Sequence, residues 1–108
     1  MRRGEVWTVS GGSDYVGRAR PAVIVQSDAF SETGSITVCP ITSHDLDAPL
    51  LRLEIHPDDW NGLRQVSRVM IDKVSSLSRA KLGRHIGSLS EDQMAQISRL
   101  LTDFLALV

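Results

Sequence analysis

The sequence predicts a mainly β chain of the α+β kind, a small antiparallel barrel of short strands with one helix packed on it. Three observations carry that expectation. Short apolar runs bounded by turn residues recur over the first two thirds of the chain, the hydrophobic period then changes from two to 3.6, and the 108 residues are enough for one core without staples. Residues 1–108 therefore read as a single domain.

The elements follow in order. EVWTV at 5–9 is a short strand, and SGGSDYVG at 10–17 is a loop by its glycines, serines and aspartate. AVIV at 22–25 is apolar on both faces, which marks a strand buried on both sides. A turn at SETG, 31–34, leads to SITVCPI at 35–41, which is expected to pair with the preceding strand. LLRLEI at 50–55 alternates Leu51, Leu53 and Ile55 with Arg52 and Glu54, the pattern of a strand with one wet face. PDDWNG at 57–62 is a turn, and QVSRVMIDKV at 65–74 resumes as a strand. SRAKLG at 78–83 reads as one helical turn ended by Gly83. Over 88–108, Met94, Ile97, Leu101, Phe104 and Leu105 form one helical stripe. Ser90 and Gln93 fit a capping box, with Glu91 and Asp92 at the positive helix end.

Composition excludes several classes. A net charge of -1 gives no general polycation character, so nucleic-acid contact would need a local patch of Lys and Arg. The single cysteine, Cys39, cannot form an internal disulfide and is expected to be a core thiol rather than a nucleophile. No run approaches the roughly 20 apolar residues of a membrane span, and the N-terminus lacks an apolar signal region, so the chain is expected in the cytoplasm. His44, His56 and His85 are widely separated and no cysteine pair accompanies them, so neither a metal site nor a cofactor is expected. Phosphate-cradling glycine loops and the Gly-x-Ser-x-Gly elbow are also missing.

The remaining chemistry sits at strand ends. Arg20 precedes Pro21, which pushes it to extended geometry and sets it at the rim. Thr42 closes the strand ending PITS, and Asp72 places a carboxylate among the apolar neighbours of VMIDKV at 69–74. A guanidinium offers paired donors to phosphate oxygens, and a hydroxyl can bond another. Taken singly, each residue has an ordinary reading: a solvated charge, a strand-former, a turn cap. His44 reads as a loop residue, and Trp7 and Trp60 as barrel and turn packing rather than base-stacking platforms.

RGEVWTV at 3–9, RPAVIVQSD at 20–28, VCPITS at 38–43 and residues 62–90 occur in an order that resembles the MazF/PemK family of toxins, the endoribonuclease halves of toxin-antitoxin pairs. The resemblance implies an SH3-like barrel acting as a homodimer whose groove binds single-stranded RNA. It implies cleavage without metal, by attack of the ribose 2′-hydroxyl, leaving a 2′,3′-cyclic phosphate and a 5′-hydroxyl. By position, Arg20 would stabilise the phosphorane charge and Thr42 would hold the phosphate. Asp72 matches an aspartate that is catalytic in the PemK/Kid branch, but Met70 stands where that branch has its partner arginine. That departure favours a mechanism built on Arg20 and Thr42, with Asp72 orienting Arg20 or the RNA. Asp14, Tyr15, Arg18, Ser43 and His44 are the expected substrate contacts. A cognate antitoxin is the implied protein partner, with DNA reached only through the antitoxin complex.

A reading of another class stays open, because the gyrase poison CcdB shares this barrel and acts by binding a protein without catalysis. A third casts the chain as a co-repressor paired with its antitoxin. Arg20-Pro21 together with PITS at 40–43 favours the nuclease.

Overall fold

The computed structural model describes residues 1–10 and 19–107. Among the described residues, seven strands and one α-helix follow one another: β1 (Glu5–Val9), β2 (Arg20–Ile24), β3 (Ser35–Thr42), β4 (Arg52–Ile55), β5 (Ser67–Met70), β6 (Ser75–Ser78), β7 (Leu82–Ser88) and α1 (Glu91–Phe104). All pairings are antiparallel, in the order β4-β5-β3-β2-β1-β7, with β6 also paired to β3. The turn after β4 brings the two ends of this order together: the Ser88 N–H donates to the Trp60 carbonyl at 2.8 Å.

The doubly apolar character of residues 22–25 has a direct cause. Ala22 and Ile24 enter one buried cluster with Val9, Ile36 and Val38, while Val23 and Val25 enter a second with Val6, Cys39, Ile41, Val69, Ile71 and the helix residues Met94 and Ile97. The strand thus has apolar side chains on both faces and packing to match. The helix begins at the expected box: Gln93 N–H donates to Ser90 Oγ at 3.1 Å, and Ser90 N–H donates to Gln93 Oε1 at 2.9 Å. It is shorter than the 88–108 pattern implied, ending at Phe104, and Phe104 and Leu105 at the end of the stripe remain exposed.

Two departures from the expected elements shape the site. The strand expected over 65–74 stops at Met70, and Ile71–Lys73 form a 3-10 turn instead. β5 and β6 share one edge of β3, and the six steps from Val69 to Ser75 oppose only three from Ile41 to Val38. The surplus residues must leave the ladder, so they bulge. Burial of Ile71 holds the turn inward, and Pro40, which has no N–H to offer, lies on β3 where the two pairings meet. The second departure is β7. Its residues LGRHIGS carry two glycines and little apolar alternation, so the strand is hidden in the sequence. The helical turn expected before it is the short 3-10 turn Arg79–Lys81, and Gly83 lies inside β7 rather than ending that turn. Pairing with β1, which shifts register twice, makes β7 a strand. Among the described residues no helix is long and apolar enough to cross a membrane.

Candidate active site

Arg20 is the first residue of β2, opposite Val9 of β1, and Thr42 is the last residue of β3. Because β2 and β3 are paired antiparallel, the start of one lies beside the end of the other. Both side chains line a cleft of about 480 Å³, completed by Pro40, Ile41, Met70, Lys73 and Ser75. The cleft therefore opens where β5 leaves the ladder and before β6 rejoins it, so the bulge creates the space.

A second cleft of about 390 Å³ shares Arg20 and Ile41 with the first, and its wall includes Ser43, Arg64, Gln65, Ser67 and Arg84. Among the described residues, neither lining contains a carboxylate or an imidazole. Among the described residues, cations therefore gather here without the acids that accompany them elsewhere. Arg2 pairs with Asp28, Arg52 with Asp72, and Arg68 with both Asp45 and Glu54. Arg20 has no hydrogen-bond or ion-pair partner among the described residues, so its guanidinium is open to a ligand.

The Thr42 hydroxyl is tied to its own loop. The His44 N–H donates to Thr42 Oγ at 3.1 Å, which leaves the O–H available as a donor. His44 contributes this backbone group, and its exposed ring lines neither cleft. Ser43 lies on the wall of the second cleft. Asp14, Tyr15 and Arg18 lie outside the described residues.

Asp72 corrects the strand assignment made from sequence. It sits on the 3-10 turn after β5, and its two oxygens accept from Arg52 Nε at 3.0 Å and Nη2 at 3.2 Å. The Arg52 hydrogen bonds hold the carboxyl below the ordinary aspartate range, against a burial effect of opposite sign. Its carboxylate lies outside the lining of the cleft that holds Arg20 and Thr42. Arg52 stands directly opposite Met70 across the β4-β5 ladder. The arginine that accompanies Asp72 therefore comes from the adjacent strand.

Cys39 is fully buried in the core, and burial pushes its thiol up to about 12. Trp7 stacks on His85 with ring centroids 5.4 Å apart and donates Nε1–H to Glu5 Oε1. Trp60 differs from the packing role expected of it: its residue is 76% exposed. Sequence reasoning missed Lys73, Arg64 and Arg84 as cleft residues, because each stands alone in the chain and only the strand order brings them together.

The family model for the PemK-like, MazF-like toxin of type II toxin-antitoxin systems matches residues 2–105. The chain belongs to the PemK/MazF toxin family. Among relatives of this family, a probable endoribonuclease MazF of Mycolicibacterium smegmatis is 44% identical over 107 residues, covering 99% of this chain and 98% of the relative. Endoribonuclease MazF9 of Mycobacterium tuberculosis is 31% identical over 111 residues, covering 94% and 92%. Solved PemK/MazF structures share the fold. An endoribonuclease from a mycobacterial species, solved with its cognate antitoxin, superposes with a TM-score of 0.82 at 24% identity over 100% of this chain and 97% of that one.

Proposed function

We propose that this chain is the endoribonuclease toxin of a toxin-antitoxin pair and that it cuts single-stranded RNA at the cleft shared by Arg20 and Thr42. The observation that carries the reading is a guanidinium without a partner beside a hydroxyl whose oxygen is already held, in a cleft that has no acid, all among the described residues. Relatives that are 44% and 31% identical over nearly the whole chain are named endoribonucleases, which supports the same reading.

The reaction needs charge stabilisation above all. The ribose 2′-oxygen loses its proton to water and bonds to the adjacent phosphorus, negative charge builds on the equatorial oxygens, and the bond from phosphorus to the 5′-oxygen breaks as that oxygen takes up a proton from water. The products are a 2′,3′-cyclic phosphate and a 5′-hydroxyl. Arg20 donates two N–H groups to the charged oxygens and Thr42 donates its O–H to another, a set of fixed donors aimed where charge develops. Lys73 adds a further positive charge on the wall. In this scheme the cations of the chain itself do the work of charge neutralisation, and no metal is required. Asp72 acts as a positioning residue: its grip on Arg52 fixes the bulge that presents Met70 and Lys73.

The working unit is a homodimer, and the protein partner is a cognate antitoxin whose acidic or apolar C-terminal segment covers the clefts. One similar structure was solved with an antitoxin bound, which supports that partner class. A complex with contacts confined to the far face would overturn the covering role.

The test is incubation of purified protein, free of antitoxin, with mixed-sequence RNA in excess EDTA. New ends are read by mass spectrometry for the wild type and Arg20→Ala. Cyclic phosphate ends from the wild type, lowered at least 10²-fold in the variant, are expected. Intact RNA with a folded wild type would reject the reading in favour of a protein-binding toxin, and a gyrase assay would follow.

A further inference from the structure

We infer that the second cleft is a phosphate subsite for a neighbouring nucleotide of the same RNA strand, with Arg64 and Arg84 as its binding residues. The inference deepens the proposed function and depends on it. Among the described residues, four arginine side chains have neither hydrogen-bond nor ion-pair partner: Arg20, Arg64, Arg84 and Arg99. The first three line this one cleft, which contains no acid among the described residues. Such convergence is unfavourable, because like charges repel and no carboxylate among the described lining residues offsets them. A polyanion offsets them.

Both added arginines stand on well-fixed backbone. Arg84 lies in β7, and its N–H donates to Thr8 Oγ at 2.8 Å. Arg64 follows a turn in which fully buried Asn61 accepts from Leu63 N–H at 3.0 Å and donates to the His56 carbonyl at 2.9 Å. The other described polar residues of the wall are uncharged, among them Ser43, Gln65 and Ser67. Arg20 faces both clefts, so a strand whose scissile phosphate rests between Arg20 and Thr42 passes its next phosphate to Arg64 and Arg84. These two residues supply affinity and register rather than chemistry.

The test compares wild type with Arg64→Gln, Arg84→Gln and the double variant. Binding of mixed-sequence 2′-O-methyl RNA, which cannot be cleaved, is measured across a salt series. Steady-state cleavage of ordinary RNA and thermal unfolding are measured alongside. Each variant is expected to weaken binding about tenfold at low salt and to flatten the slope of log K against log salt by about 0.7 per lost phosphate contact. In cleavage, KM rises by a similar factor while kcat stays within about twofold. Removing a like charge should leave the melting temperature unchanged or higher, whereas a structural role would lower it. Arg84→Lys should restore part of the salt slope. A wild type that cleaves RNA beside variants with unchanged slope and KM overturns the subsite alone. A wild type that neither binds nor cleaves RNA overturns both the subsite and the proposed function.

Discussion

Arg52 grips Asp72 with two hydrogen bonds, 3.0 Å from Nε to Oδ1 and 3.2 Å from Nη2 to Oδ2, across the gap between β4 and the turn that follows β5. The arginine side chain is 9% exposed and the aspartate 26%, so removing either partner strands a charge with little water around it. Asp72→Asn is expected to destabilise the fold by about 1–3 kcal/mol at neutral pH, measured by urea unfolding. The folded carboxyl is held below its usual range, so its contribution is present above the unfolded value near 3.9 and is lost as pH falls through the lower folded value. The difference between wild type and Asp72→Asn should therefore shrink only in acid. A difference that instead vanished near pH 7 would remove the ion pair from the account.

Thr42 offers a sharper test of the cleavage scheme than a generic loss of function. Thr42→Ser retains the oxygen held by the His44 N–H and should keep most of the cleavage rate. Thr42→Ala removes the donor and should lower kcat on the order of 10²-fold. Equal rates for the two variants would rule the hydroxyl out of the reaction.

Cys39 should resist alkylation. With its thiol pushed up to about 12 and no exposed surface, iodoacetamide at neutral pH should leave the native protein unmodified and label it fully in urea, as read by intact mass. Rapid labelling of the native state would contradict its place in the core.

Glycine at 62 is required by both dihedral and space. Gly62 has φ +72, and an added Cβ would collide with the Ile86 backbone. Gly62→Ala should cost more than the roughly 1–2 kcal/mol of a left-handed conformation alone, because β7 would also have to shift. Gly34→Ala, with nothing within 4 Å of the added carbon, is the control and should be nearly neutral. Comparable melting temperatures for the two variants would refute the steric argument.

Much of the fold was legible because its signals are local. Residues 22–25 announce burial on both faces, and Ser90 with Gln93 announces the start of the helix. Arg20 beside Pro21 and Thr42 at the end of PIT could be placed at strand ends, and pairing of β2 with β3 then follows from their succession. The bulge at Ile71–Lys73 was illegible, since it arises from two strands competing for one edge of β3 and leaves no mark in hydrophobic period. For the same reason the partner of Asp72 was missed: Arg52 is twenty residues away and reads only as the wet face of a strand. Arg64, Lys73 and Arg84 carry no shared motif, and only the topology assembles them.

The gathering of arginines at one mouth concentrates positive potential there although the chain as a whole carries a net charge of -1. A polyanion that meets the basic mouth is drawn in, while the net charge of -1 gives it no general attraction to the rest of the surface. Capture is therefore directional, with the approach path chosen by the field before any contact forms and weakened as salt shortens the reach of that field.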